Sequence, residues 1–326
     1  MTKIRTILIG CGNQMMNEVV QGIIDCNYKY ELVGLCDQNP NALEEAKTQV
    51  AAIGDIPVYL DYKKAIEDLK PDLAVIALPH HLHAKTVLEC LDLGVRVIKE
   101  KPLGISLDEA NLIRAKVKEK KLFVFTITKR KFYDSVRVVK NYVESTYPYA
   151  YNFIRFIARG TQTSGWRAKK ELAGGGVVLD LGYHLIGTVQ HLFGNINSVK
   201  AEYGQSRLRY AQYETEDFAS LLVKHTTGIT GTLTFGAMAG HKTEELSILS
   251  TDAFIHMEDE RILLKRLDKD LQETSRIESD YSQTGNVYSR IFQEIDPFDT
   301  QQSLKNIDEQ IAILNVIDQI YHHHEQ

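Results

Sequence analysis

Cysteine is scarce in this chain. The four present, Cys11, Cys26, Cys36 and Cys90, all fall in the first hundred residues, and none belongs to a CxxC pair. That excludes a disulfide framework and a cysteine-based zinc site, and the four read as small buried apolar residues of a reducing compartment. Long hydrophobic runs are also missing near the start, where Ile7-Leu8-Ile9 stops at Gly10. Such a run is too short for a signal-peptide core or a membrane span, so a cytoplasmic protein without membrane association is expected. Concentrated positive charge is the third absence. Lys and Arg number 38 against 43 Asp and Glu, for a net charge of -5, and Glu119 interrupts the lysine cluster at Lys116, Lys118, Lys120 and Lys121. Polyanion binders gather such charge into a patch, so no nucleic-acid partner is expected. There is no internal repeat and no low-complexity linker.

What is there describes a globular chain of 326 residues, 44% hydrophobic and 25% charged, long enough for two domains. The first third alternates strand and helix patterns. Strands are expected at 3–9, 31–36, 56–60, 72–78, 96–99 and 122–126, with helices at 41–52, 84–93 and 107–119. Ser106 and Glu109 form a capping box ahead of the last helix. Continuously apolar strands such as LAVIAL suit a doubly wound parallel sheet of Rossmann type, covered on both faces. After about residue 125 the pattern becomes long alternating runs, for example DFASLLVKH and GITGTLTFG, which suit an open, mainly antiparallel sheet in an α+β domain. The domains are placed at 1–123 and 124–326. The charge-dense stretch 258–280 reads as a solvated loop or edge, and a final amphipathic helix covers about 303–321.

Three constellations carry chemistry. In ILIGCGNQMMNEVV, Gly10 and Gly12 follow a strand and open a helix, as a backbone turning tightly against a pyrophosphate requires, with Asn13 and Gln14 at the helix start. Met15 stands where the fingerprint has its third small residue, whose task is close packing of helix on strand, so the first helix is expected slightly off the sheet. Asp37 ends the second strand about twenty residues on, where a carboxylate accepts from ribose hydroxyls, although it could equally open the turn before Pro40. A carboxylate there repels a 2'-phosphate, and Gln38 and Asn39 offer no guanidinium, so NAD is favoured over NADP.

Two further clusters sit at strand carboxyl ends, where open parallel sheets bind ligands. Pro79-His80-His81-Leu82-His83 lacks the spacing of a familiar zinc site and reads as a polar helix start beside a cofactor, with no metal expected. Glu100-Lys101-Pro102 follows GVRVIK. A Lys at a strand end is commonly just solvated, but this one stands at a ligand edge before proline, and the Lys-Pro bond is a candidate for cis. Beyond these, VVLDLGYHLIGTVQHLF places Val178, Leu181, Leu185, Val189 and Leu192 on one helical stripe and Asp180, His184, Thr188 and His191 on another. Gly174 to Gly176 permit a close backbone approach ahead of that helix. Asp180 and His184, one turn apart, are either a solvated pair or two groups converging on one small molecule.

GVRVIKEKPLG closely resembles the EKP segment of the Gfo/Idh/MocA oxidoreductases. The GCGN loop, ALPHHLHAKTVLECLDLG and WRAKKELAGGGVVLDLGYHLI resemble the same family in the same order, over the first two hundred residues. His80 departs from the family's usual Asn, and Met15 from its usual small residue. The resemblance implies an NAD(P)-dependent dehydrogenase or reductase acting on a hydroxyl-bearing carbon of a sugar, sugar derivative or cyclitol. It makes His184 the acid/base, sets Asp180 and Lys101 about the substrate hydroxyl, and puts Trp166 and Arg167 at the substrate's border. It also implies a homodimer or homotetramer built on the free sheet face. Two alternatives stand beside this reading: a relative that oxidises a sugar transiently to cleave a glycoside, and a non-catalytic NAD-binding regulator.

Overall fold

Every residue of Leu73–Ile76 is buried, as a strand covered on both faces must be. The computed structural model describes residues 2–158, 164–206, 213–237, 239–282 and 285–323. In its first unit, strands β1 (Ile4–Ile9), β2 (Tyr30–Cys36), β3 (Val58–Tyr59), β4 (Leu73–Ile76), β5 (Arg96–Glu100) and β6 (Val124–Ile127) alternate with helices α1 (Val20–Asp25), α2 (Pro40–Val50), α3 (Tyr62–Leu69), α4 (His80–Asp92) and α5 (Leu107–Lys120). The strands form one sheet in the order β3-β2-β1-β4-β5-β6, and each pairing is parallel. The chain winds outward from β1 to β3 and then crosses to β4, which opens a crevice at the carboxyl ends of β1 and β4.

Local chemistry sets the helix ends. Asn39 accepts from the Asn41 amide ahead of α2, and Asp61 from the Lys63 and Lys64 amides ahead of α3. At α5 the Ser106 hydroxyl accepts from the Glu109 amide as expected. The Glu109 carboxylate, however, accepts from Ile105 and not from the Ser106 amide, so the box is shifted by one residue. Met15 is fully buried, and the helix opens there as a π-helical turn, Met15–Val19, before continuing as α1. The long side chain thus sits inside a widened turn.

The second unit holds α6 (Asp134–Glu144), β7 (Pro148–Phe156), α7 (Lys170–Ala173), α8 (Tyr183–Phe193) and the strands β8 (Ile196–Gly204), β9 (Phe218–His225), β10 (Thr230–Gly236), β11 (Thr243–Ser250), β12 (Ala253–Glu258), β13 (Arg261–Leu267) and β14 (Glu273–Asp280). Its sheet runs β14-β13-β12-β11-β7-β10-β9-β8 and is antiparallel except between β7 and β10. Strict alternation of burial along β9 leaves Phe218 and Leu222 exposed on one face. The charge-dense stretch is a hairpin at the sheet's edge, its last strand almost wholly exposed, and charge there discourages further strand pairing. Residues 207–210 of the AEYGQSRLRY run lie outside the described residues. The stretch Lys170–Phe193 is apolar and long enough to cross a membrane, yet 78% of its most apolar window is buried in the protein.

The division expected at residue 123 is corrected in two ways. The first unit runs to Lys129, because β6 completes its sheet, and it takes back Asn286–Ile311 from the end of the chain. Those residues form α9 (Val287–Glu294) and the first part of α10 (Thr300–His323). Gly22 is what seats α9 on α1, since a Cβ there would lie 2.6 Å from the Tyr288 carbonyl carbon. Along β6, an edge strand, Ser303 and Asn306 of α10 substitute for a neighbouring strand. Ser303 Oγ accepts from the Val124 amide and donates to its carbonyl, both at 2.9 Å. Asn306 accepts from the Thr126 amide at 2.8 Å and donates to its carbonyl at 3.1 Å.

Asn306→Ala removes both bonds to Thr126 and leaves a buried amide and carbonyl unpaired. It should cost about 2 to 4 kcal/mol, read as a lower urea midpoint at unchanged slope.

Candidate functional site

In the first unit the residues singled out by sequence gather at the crevice between β1 and β4. Gly10 follows β1 with a φ of +88°, and a Cβ there would lie 2.2 Å from the Ala77 carbonyl oxygen after β4. Only glycine fits, for reasons of backbone and of space. Gly12 is different. It is exposed, and a Cβ there would meet nothing within 4 Å, so the protein's own packing does not demand a glycine. A bare backbone beside a helix N-terminus, with Asn13 and Gln14 exposed next to it, suits the close approach of a pyrophosphate. The residues present therefore fit a dinucleotide.

Asp37 contributes to the same loop. Its Oδ2 accepts from the Cys11 amide at 2.7 Å and its Oδ1 from the Asn39 amide at 2.8 Å, so the carboxylate opens the turn before Pro40 and braces the glycine loop. Each oxygen keeps a further lone pair for a hydroxyl donor. Burial, with the Asp37 charge nearby, pushes the Cys11 thiol up to about 12, and burial does the same to Cys36. Both stay protonated and unreactive at neutral pH.

Pro79 begins α4 with His80 buried behind it. His83 lies deeper than His80. It is fully buried, and its Nε2 donates to the Leu78 carbonyl at 2.8 Å, so the ring holds the loop from behind. Burial, aided by Lys99, drives its pKa well down, which keeps the imidazole neutral. Among the described residues no three His, Cys, Asp or Glu side chains gather as a metal site.

Lys101-Pro102 is a cis peptide, and Lys101 is half-buried. The residue beneath it, Lys99, was not singled out by sequence. It is fully buried in β5, and its ammonium nitrogen donates to the carbonyls of Glu100, at 2.9 Å, and of Pro102. Lys99 thus ties together the backbone that presents Glu100 and Lys101. A lysine inside the run GVRVIK signals this only because a solvated lysine has no place in a central strand.

In the second unit, the stretch from Gly175 to Val189 is buried at every position except Asp180 and His184. Thr188, expected on the same stripe, is buried and donates from Oγ1 to the His184 carbonyl at 2.7 Å. The expected apolar stripe is buried throughout. The segment begins as a π-helical turn, Val178–Gly182, and passes into α8, and such turns recur at functional sites. Arg167 Nε lies 3.9 Å from Asp180 Oδ2, and the guanidinium stacks over the Trp166 ring at 4.2 Å. Trp166, Arg167 and Asp180 therefore form one connected group.

Glu216, Tyr321 and Thr215 were missed in the sequence. Glu216 Oε1 accepts from the Gly176 amide at 2.8 Å, the Val178 amide at 3.1 Å and the Tyr321 hydroxyl at 2.8 Å. A Cβ on Gly176 would fall 2.0 Å from the Glu216 carbonyl oxygen, and one on Gly175 would fall 2.0 Å from the Tyr321 hydroxyl. The close approach expected of the glycine run is thus to the protein's own side chain and backbone. Thr215 Oγ1 donates to the Arg167 carbonyl at 3.0 Å. One short segment ahead of β9 thereby fixes both the helix bearing Asp180 and His184 and the loop bearing Arg167.

Burial raises the Glu216 pKa above that of an unfolded glutamate. A raised folded value favours the protonated form, so its contribution to stability is full below the ordinary carboxylate value and declines as pH rises through the raised one. Glu216→Gln keeps the acceptor oxygen and removes the titration. Denaturant melts across pH 4 to 8 should show the wild type losing stability relative to the variant as pH rises, and parallel curves would contradict the assignment (pH range of about 4 to 8 chosen to bracket a raised carboxylate).

Residues 4–128 match the family description "Oxidoreductase family, NAD-binding Rossmann fold", and residues 142–256 match "GFO/IDH/MocA C-terminal domain". Among curated proteins, the chain is 24% identical to the D-glucoside 3-dehydrogenase of Escherichia coli over 59% of this chain and 54% of that protein. It is 25% identical to the scyllo-inositol 2-dehydrogenase (NADP(+)) of Bacillus subtilis over 68% of this chain and 61% of that one. These matches span less than two thirds of either relative's length. A solved levoglucosan dehydrogenase in complex with NADH superposes with a TM-score of 0.83 at 16% identity, over 98% of this chain and 96% of that one, a likeness of fold. With one family description covering the parallel-sheet unit and its companion covering most of the second, the chain belongs to the Gfo/Idh/MocA oxidoreductase family.

Proposed function

We propose that the protein transfers a hydride between NAD and a hydroxyl-bearing carbon of a sugar, sugar derivative or cyclitol. The observation that carries this reading is the burial pattern of Gly175 to Val189. Within that stretch Asp180 and His184 alone are half-exposed, which is how an acid/base pair is presented from a rigid support. The bare backbone at Gly12 supports the cofactor, and the names of the sugar and cyclitol dehydrogenases it resembles support the substrate class.

Gly10, Gly12, Asn13 and Gln14 would hold the pyrophosphate side of the dinucleotide and Asp37 its adenosine ribose, with Pro79, His80, His83 and Glu100 bordering it at the carboxyl ends of β4 and β5. Asp37 followed by Gln38 and Asn39 supports NAD over NADP, although the scyllo-inositol relative carries NADP in its name. Bound, the nicotinamide supplies the hydride acceptor. His184 takes the hydroxyl proton in the oxidative direction, as an imidazole is suited to do near neutral pH. Asp180, oriented by Arg167, fixes the hydroxyl and steadies the histidine once it is charged. Lys101 is the residue that the family resemblance makes a donor to a substrate hydroxyl, and an ammonium suits the stabilisation of charge developing on an oxygen. Trp166 offers an aromatic face to the sugar's C–H side and restrains Arg167. The exposed face of the eight-stranded sheet, with Phe218 and Leu222, supports a homodimer or homotetramer. A cytoplasmic location accords with four reduced, buried cysteines.

NAD at about a hundred times its Kd should stabilise the protein by about 2.7 kcal/mol, read as a rise in Tm, with NADP giving less. On a panel of sugars and cyclitols with NAD, NADH should accumulate. His184→Ala should lower kcat by about 10²- to 10⁴-fold while leaving the NAD-induced Tm shift in place. Retained turnover in the doubly substituted His184→Ala, Lys101→Ala protein would sink the assignment. Release of an aglycone without NADH would replace a net dehydrogenase with a glycoside-cleaving relative.

A further inference from the structure

We propose that Tyr288, on helix α9 near the end of the chain, is a positioning residue of the cofactor edge that acts through Glu100 and Gln14. The proposal rests on the reading above, in which those two residues border the dinucleotide. Tyr288 is buried, 1% exposed. Its hydroxyl donates to Glu100 Oε1 at 2.6 Å and accepts from Gln14 Nε2 at 2.9 Å. Gln14 Nε2 also lies 3.5 Å from the same Glu100 oxygen and 3.2 Å from Glu18 Oε2. One phenol thus joins the helix start after β1 to the carboxyl end of β5, the two places where the chain would border the cofactor from either side. Lys129 closes the group, donating to Glu18 Oε2 at 2.6 Å and standing 5.8 Å from the centre of the Tyr288 ring.

The phenol is placed by construction along all of α9. Asn286 caps the helix by accepting from the Tyr288 amide at 2.8 Å. Lys29 closes the other end, donating to the carbonyls of Phe292, Gln293 and Ile295. Tyr30 donates to the Phe292 carbonyl at 3.0 Å, and Gly22 leaves the space that the Tyr288 backbone occupies. A helix anchored at both ends and pressed against α1 delivers its hydroxyl to a set point. Glu100 gains from this, because burying a carboxyl group is costly unless its oxygens accept hydrogen bonds. Burial raises the Glu100 pKa, and the Tyr288 hydrogen bond is the leading influence pulling it back. In substance, the far end of the chain contributes part of the dinucleotide's binding surface without touching it.

The test measures the Kd of NAD by calorimetry on the full chain, for wild type, Tyr288→Phe, Glu100→Gln and the double variant. Loss of a charge-assisted hydrogen bond predicts about a tenfold higher Kd for Tyr288→Phe. Action through Glu100 predicts that the double variant binds no more weakly than Glu100→Gln alone, a coupling that general loosening of the fold would not produce. If Tyr288→Phe does not fold by circular dichroism, Asn286→Ala, which removes the exposed cap that sets the Tyr288 end of α9, takes its place in the same cycle, with a smaller rise in Kd that again vanishes in the Glu100→Gln background. Unchanged NAD affinity in the single variant, or effects that simply add, overturns the proposal while the dehydrogenase reading stands. A wild-type chain that does not bind NAD overturns both.

Discussion

Glu216 holds a carboxylate inside the second unit on two backbone amides and one phenol. Most of what is accessible in that unit depends on where those donors lie. A buried acid is tolerated only when its oxygens are satisfied, and satisfying this one requires the Gly174–Gly176 run to come within contact of Glu216 and Tyr321. The helix that follows begins where the carboxylate fixes it, first as a π turn and then as α8. Asp180 and His184 emerge from that start at the two accessible positions of a buried stretch.

The first unit uses a charge of the opposite sign for a comparable purpose. Lys99 is buried in the sheet and donates to two carbonyls of the turn that carries Glu100 and Lys101. Burial lowers its pKa well below that of a free lysine, and the nitrogen has protons to donate to both carbonyls in either protonation state. In both units a buried polar side chain grips backbone, while the residues offered for chemistry stand a few positions away at half exposure. Rigid support behind an accessible group is what catalytic geometry requires, since small misplacements of a proton donor cost large factors in rate.

Met15 shows how a departure from a motif is absorbed. A small residue at that point lets helix and strand pack closely, yet the long side chain is fully buried and the turn around it is widened to π geometry. The demands nearest the phosphate are met separately, by Gly10 through its backbone conformation and by Gly12 through open space. Packing and binding are thus answered by different residues of one loop, which is why a change in the first leaves the second intact.

The sequence by itself determined the two architectures. Periodicity of 2 and 3.6, short connections and caps are local properties, and β1 to β6, the alternating strands after residue 196 and the long final helix were all legible from them. It also determined the residues of the crevice, Gly10, Gly12, Asp37 and Lys101, and the pair Asp180 and His184, because motif spacing along a strand end or a helix turn is local too. Only the tertiary structure decided what holds them. Glu216 reaches the glycine run across 40 residues, Tyr321 reaches Glu216 across 105, and Tyr288 reaches Glu100 across 188. Ser303 and Asn306 cover β6 from a helix that reads on its own as merely amphipathic. Such contacts leave no periodic trace, since each is a single polar side chain whose partner is set by how separate elements pack. The same reason placed Thr188 inside although it shares a helical stripe with Asp180 and His184. Helical periodicity says which side chains share a face, and the surrounding fold says whether that face meets water.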